Sequence, residues 1–159
     1  MRNRGFTLVE TLLYAGLTTV IITFSILATY QLIESSNRVK SQKELVENQK
    51  LLEQKIYWVL QNVSAINSPA TDATTTTLSV DKIGFAQNPV VVSVNSSTAF
   101  LQRGTGAALP ITDDAYVAVQ NLTFHQFDFS GQPAIQVSGT LFNGYTSTTA
   151  AINTTIIVR

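Results

Sequence analysis

The stretch Thr11-Leu-Leu-Tyr-Ala-Gly-Leu-Thr-Thr-Val-Ile-Ile-Thr-Phe-Ser-Ile-Leu-Ala-Thr-Tyr-Gln-Leu-Ile33 decides how this chain is read. It holds 23 residues with no charge and no proline. As a helix it spans about 34 Å, at roughly 1.5 Å per residue. That matches a bilayer hydrocarbon core of about 30 Å. Its Thr and Ser hydroxyls can bond back to helical carbonyls, which makes them tolerable in lipid. A buried core helix is shorter and amphipathic, and a Sec signal has an apolar region of about 7–15 residues closed by a small-x-small site. This run is longer, and a cut after Ala28 would leave Ile26 where a small residue is preferred. A membrane segment is the expectation.

Charge is distributed in four zones around that stretch. Residues 1–5 carry Arg2 and Arg4; residues 6–33 carry only Glu10. Residues 34–66 carry five basic and four acidic side chains, and residues 67–159 three basic and five acidic. The total, ten against ten, gives no basic footprint for nucleic acid, and no direct nucleic-acid binding is expected. No cysteine is present, which excludes disulfides, thiolate nucleophiles and Cys-based zinc sites. The Lys/Arg rule leaves the topology open, because Arg38, Lys40 and Lys43 flank the far end of the run as Arg2 and Arg4 flank the near end.

Glu10 is the informative charge. An ionised carboxylate at the start of an apolar run needs a cation or a place at the headgroup boundary. The cations within residues 1–33 are Arg2, Arg4 and the chain's own amine. The segment Met1-Arg-Asn-Arg-Gly5 followed by Phe6-Thr-Leu-Val-Glu10-Thr-Leu-Leu13 resembles the class III signal of type IV pilins and pseudopilins. The resemblance covers about the first 33 residues. It implies a leader of residues 1–5, cleavage between Gly5 and Phe6 by a prepilin peptidase, methylation of the new Phe6 amine, and an assembly role for Glu10. In that family a membrane-stored subunit is extracted into a filament. The implied partners are other pilin or pseudopilin subunits, the peptidase, an inner-membrane assembly platform and membrane lipid. The implied location is the cytoplasmic membrane, crossed once, with the head extracytoplasmic until assembly places it in a surface or periplasmic filament. Major subunits of the family often carry a proline in the membrane half; this run has none, which implies a straighter helix.

After Ile33 the pattern turns amphipathic. Leu45, Leu52, Ile56, Val59, Val63 and Ile66 form one helical stripe. Lys43, Glu44, Glu47, Lys50, Glu53 and Lys55 lie off it as a solvated face with helical ion pairs. The three-heptad length favours docking on a sheet over a coiled coil. Tyr57 and Trp58 fit a helix wedged between subunit core and neighbour, with core packing the expected role of each. Residues 6–66 are therefore expected to be one helix of about 90 Å, divided into a membrane and assembly part (6–33) and an amphipathic part (34–66).

Residues 67–159 are expected to be a β-rich head. Val90–Val94, Thr98–Gln102, Ile135–Leu141 and Ile152–Val158 read as strands, and Ala115–Val119 with Leu122–Phe129 as one or two more, with turns at Gly104-Thr-Gly106, Ser130-Gly131-Gln-Pro133 and Asn143-Gly144. Thr71–Thr77 reads as an exposed low-complexity loop. Helix first, then strands, predicts an α+β fold with an antiparallel sheet covered by the helix. The closing strands also look similar to those of minor pilins and pseudopilins of secretion and competence systems.

No catalytic constellation appears. His125 stands alone in a strand pattern and reads as a surface residue. Asp113-Asp114 reads as a turn, lacking the further oxygen ligands of a calcium loop. Gly104-x-Gly106 lacks the rest of a phosphate loop. Asn62, Asn95, Asn121 and Asn153 begin Asn-x-Ser/Thr triplets, as chance allows in so Ser/Thr-rich a chain, whose residues 67–159 alone hold 23 Ser or Thr. No cofactor or metal is expected, and the chain reads as a structural subunit rather than an enzyme. A non-assembling single-pass anchor with a binding or adhesion head is the alternative, and a Sec-secreted enzyme the third reading.

Overall fold

The structure, a computed structural model, describes residues 7–113 and 115–158. The chain divides into two compact units, Met1–Lys40 and Ser41–Arg159. A single helix, α1 (Leu8–Val59), runs through the boundary. The strands that follow are β1 (Val63–Ser68), β2 (Thr74–Thr75), β3 (Leu78–Lys82), β4 (Val90–Asn95), β5 (Thr98–Arg103), β6 (Leu109–Pro110), β7 (Ala118–Phe129), β8 (Gln132–Asn143) and β9 (Thr148–Ile157). The fold is α+β: a long N-terminal helix packed, over its C-terminal part, on an antiparallel β head.

Within the first unit, every described residue from Thr7 to Lys40 is exposed. Helix formation there is local. Leu, Ala and Ile-rich sequence without proline propagates the ladder, and a cap at Thr7 starts it.

In the second unit the helix buries Ser41, Leu45, Leu52, Ile56 and Val59, a stripe at spacings of three, four and seven. Full burial of Leu52, Ile56 and Val59 contributes about 1.5–3 kcal/mol each. Tyr57 departs from the expected core role: it lies one residue round from Ile56, off the stripe, and is 55% exposed. Trp58 is half-buried and packs on the core. On the solvated face the Lys43 ammonium meets Glu47 at 3.6 Å.

The helix stops at Val59 rather than continuing to residue 66. The Leu60 N–H still reaches the Ile56 carbonyl, at 3.0 Å, and the Gln61 N–H closes a tighter turn on Trp58 at 3.3 Å. Asn62 then enters the left-handed region, with φ 53°. Asn tolerates that conformation and ends helices. Val63 and Ile66, expected on the helix stripe, lie in β1.

The strands form two sheets rather than one. The first has order β1-β3-β4-β5-β6 and the second β2-β7-β8-β9, with antiparallel pairing throughout. The Ala115–Phe129 region holds one long strand, whose register shifts between Gln120 and Thr123 at Asn121 (φ 52°). The hairpin turns at Ser96-Ser97 and Ser130-Gly131 place both central residues at positive φ, as two-residue hairpin turns require. The Thr71–Thr77 segment is not wholly a loop: β2 joins β7 through Thr74↔His125 and Thr75↔Phe124.

One apolar core joins the helix to both sheets. Leu52 and Ile56 of α1, Leu78, Val80 and Val92 of the first sheet, and Phe124, Ile135 and Leu141 of the second belong to it. Along β8, Ile135, Val137 and Leu141 are buried on the core face, and Ala134 beside Ile135 is buried as well.

Candidate functional site

Gly5 and Phe6, the expected cleavage pair and methylation site, lie outside the described residues. Glu10 occupies the first turn of α1. Its N–H lies 3.3 Å from the Thr7 hydroxyl and 3.1 Å from the Thr7 carbonyl, so Thr7 caps the helix. The Thr7-x-x-Glu10 spacing is that of a capping box, a signal readable in the sequence that points to a local role for the carboxylate near the positive end of the helix.

Beyond Glu10 the surface of the first unit is apolar. Leu12, Ile21, Phe24, Ile26 and Leu32 are each more than 60% exposed. The hydroxyls do not interrupt it. Thr18, Thr19, Thr23, Ser25 and Thr29 each donate to the carbonyl four residues back, at 2.8 Å. Polar hydrogens are thereby satisfied inside the helix, as a hydrocarbon surrounding demands. α1 is long and apolar enough to cross a membrane. Charge returns at Glu34, whose carboxylate accepts from Arg38 at 2.6 Å.

Among the described residues, no three His, Asp or Glu side chains gather as a metal site. His125 sits half-buried in β7, its Nδ1 3.1 Å from the Thr74 hydroxyl and 3.3 Å from the Ala73 carbonyl. Its ring stacks on Phe127 with centroids 5.8 Å apart. These contacts tie β2 to β7. Asp113 makes a turn: its carboxylate accepts from the Ala115 N–H at 3.1 Å and its carbonyl from Val117 at 3.0 Å. Its own N–H donates to Asn48 Oδ1 at 3.0 Å, which holds the turn on the helix. Asp114 lies outside the described residues.

One cluster has no sequence signal. Lys82, 8% exposed at the end of β3, donates to the Trp58 carbonyl and holds its ammonium 4.2 Å from the Trp58 ring centre. Arg103 approaches the same ring at 5.0 Å, and Phe85 meets it edge-on at 6.0 Å. Desolvation lowers the Lys82 pKa from its ordinary value. The contact fastens the C-terminal end of α1 to the first sheet. Comparison of the chain with family models, with curated proteins and with solved structures finds no match.

Proposed function

We propose that this chain is a structural subunit of a type IV pilus-like filament or of a secretion or competence pseudopilus. It is stored in the cytoplasmic membrane with its head extracytoplasmic, cut between Gly5 and Phe6 by a prepilin peptidase, methylated at Phe6, and assembled through α1. The observation that carries this reading is the junction of two features. A segment matching the class III signal runs directly into a capped helix with an apolar, exposed surface and inward-turned hydroxyls. Such a surface suits lipid first and neighbouring helices later, because both are apolar surroundings in which the helix backbone is already satisfied. Glu10 would meet the Phe6 amine of a neighbour. Two unit charges at 4 Å attract by about 4 kcal/mol at an effective dielectric of 20. Desolvation offsets much of that, so the pair sets register more than affinity.

Intact-mass measurement of the membrane-extracted chain tests the reading. Loss of residues 1–5 with 14 Da added at Phe6 is the expected result. The Thr7-x-x-Glu10 spacing at the capped helix start favours a second reading, since a carboxylate near the positive end of its own helix needs no neighbour: a non-assembling, single-pass anchor carrying a binding or adhesion head. An uncut N-terminus in the same measurement supports that reading and removes the first.

A further inference from the structure

We propose that Asn143-Gly144 is a self-modification site, at which the Gly144 backbone nitrogen attacks the Asn143 side-chain amide, converts it to a carboxylate and releases the β8–β9 turn from α1. The reaction needs a polarised amide carbon, an unoccupied neighbouring N–H and water. The fold supplies all three.

The carbon is polarised by three donors. Asn143 Oδ1 accepts from the Tyr145 N–H at 2.9 Å, the Thr146 N–H at 3.2 Å and the Thr146 hydroxyl at 3.3 Å. The Thr148 hydroxyl, 2.7 Å from that of Thr146, can donate to it and leave the Thr146 hydrogen to Asn143. Donors gathered on one amide oxygen stabilise the negative charge that develops there when a nucleophile adds to the carbon, as in an oxyanion hole. On the other side of the amide, the leaving nitrogen Nδ2 is held only by the Ser41 carbonyl, at 3.5 Å.

The nucleophile is free. Asn143 pairs with Thr148 at the last rung of the β8–β9 ladder, and residues 144–147 form the loop beyond it. The Gly144 N–H has no acceptor among the described residues. Without a Cβ, Gly144 can turn its nitrogen toward the amide while the ladder stays in place. The Asn143 side chain is 1% exposed, which does not impede attack from the next residue of the same chain. Water is needed only afterwards. Gly144 is exposed beside an open groove of ≈ 440 Å³ lined by residues 115–118 and 142–145.

The Gly144 N–H gives its proton to solvent base as its nitrogen bonds to Asn143 Cγ. The Cγ–Nδ2 bond breaks, and the amide nitrogen takes a proton from solvent and leaves as ammonia. A five-membered succinimide remains. Water adds to either ring carbonyl and reopens it, to Asp or isoaspartate at position 143. Overall one water enters and one ammonia leaves. The product carboxylate has no hydrogen to give the Ser41 carbonyl and places a charge in a buried site, which is costly. The isoaspartate form also lengthens the backbone at the end of the ladder. Either product loses the tie to α1.

The amide-to-acid mass change at residue 143 is followed in the tryptic fragment 104–159 of the full chain, kept folded in detergent at mildly alkaline pH. The folded chain is expected to react at least as fast as the same chain unfolded in urea. Thr146→Val removes the hydroxyl donor; it is expected to slow the folded chain severalfold and to leave the unfolded chain unchanged. Gly144→Ala crowds the nucleophile and is expected to slow both about tenfold. Its Cβ would lie 3.9 Å from Phe142 Cε1, an ordinary contact that keeps the fold. The reacted chain is expected to unfold at a lower urea concentration than the fresh one. A folded chain that stays unmodified while the unfolded chain reacts would overturn the proposal. So would a folded rate indifferent to Thr146→Val or to Gly144→Ala, or a reacted chain with an unchanged urea midpoint.

Discussion

The Lys82 ammonium, 4.2 Å from the centre of the Trp58 ring and bonded to the Trp58 carbonyl, is a buried cation used as a fastener. It meets the end of α1, where the Trp58 carbonyl, which also accepts from the Gln61 N–H at 3.3 Å, carries partial negative charge. The Asn88 amide holds β3 in place around it, accepting from the Lys82 N–H and donating to the Lys82 carbonyl, both at 2.9 Å. Desolvation of the ammonium lowers the Lys82 pKa from its ordinary value.

That sign sets a pH dependence. A lysine whose folded pKa lies below its unfolded value releases its proton first in the folded state. Between the two pKa values the unfolded chain binds more protons, so stability rises with pH. The window ends near the ordinary lysine value of 10.5. Denaturation of the full chain in detergent is expected to show the native protein gaining on Lys82→Met as pH rises through that window. A constant difference between the two across the alkaline range would contradict the assignment.

Asn143 supports a second prediction. It is 1% exposed, and its Oδ1 accepts from the Tyr145 N–H at 2.9 Å, the Thr146 N–H at 3.2 Å and the Thr146 hydroxyl at 3.3 Å. Its Nδ2 donates to the Ser41 carbonyl at 3.5 Å. One side chain thus folds the β8–β9 turn and ties it to α1. Asn143→Ala leaves those donors without their acceptor, and a loss of about 2–3 kcal/mol is expected. The measurement is urea denaturation, and a loss below ~0.5 kcal/mol would contradict the role.

Gly139 gives a steric test. A Cβ there would lie 3.0 Å from Leu122 Cδ1 and 3.1 Å from the Leu122 Cα, just past the irregularity at Asn121. Backbone cannot yield as a side-chain tip can. Gly139→Ala is expected to destabilise by about 1–3 kcal/mol, read as a lowered thermal midpoint.

These contacts show where sequence reading succeeds and where it stops. α1 is legible to Val59 because an apolar run and then a 3–4 stripe are long, periodic signals. Its end is not, because Val59, Val63 and Ile66 keep helical spacing. The register shifts in β1 explain the ambiguity: a bulge lets residues three apart, Val63 and Ile66, both be half-buried in a strand. Leu78–Lys82 carries little strand signal because its apolar positions are only Leu78 and Val80, yet it joins β1 to β4. The division into two sheets depends on pairings between distant segments, which no local pattern encodes. At the candidate site, Gly5, Phe6 and Glu10 are legible as a motif, whereas the Lys82–Trp58 contact spans 24 residues and leaves no local trace.

Glu10 remains the residue on which the proposed function turns, and its two roles can be separated. As a cap residue it acts within its own helix, near Thr7; as an assembly residue it acts on the amine of a neighbour. Glu10→Ala removes the carboxylate that both roles need and leaves the Glu10 N–H on Thr7. Glu10→Gln removes the charge but keeps a side chain that a capping box accepts at that position. Both variants are expected to be cut after Gly5 and to remain in the membrane, and both are expected to fail at filament incorporation, measured by shearing and immunoblotting. Thr7→Ala is the control: it removes the cap, worth about 1 kcal/mol, while leaving the carboxylate, and is expected to assemble. Assembly of Glu10→Gln together with failure of Thr7→Ala would transfer the role of Glu10 from the neighbour's amine to the helix start.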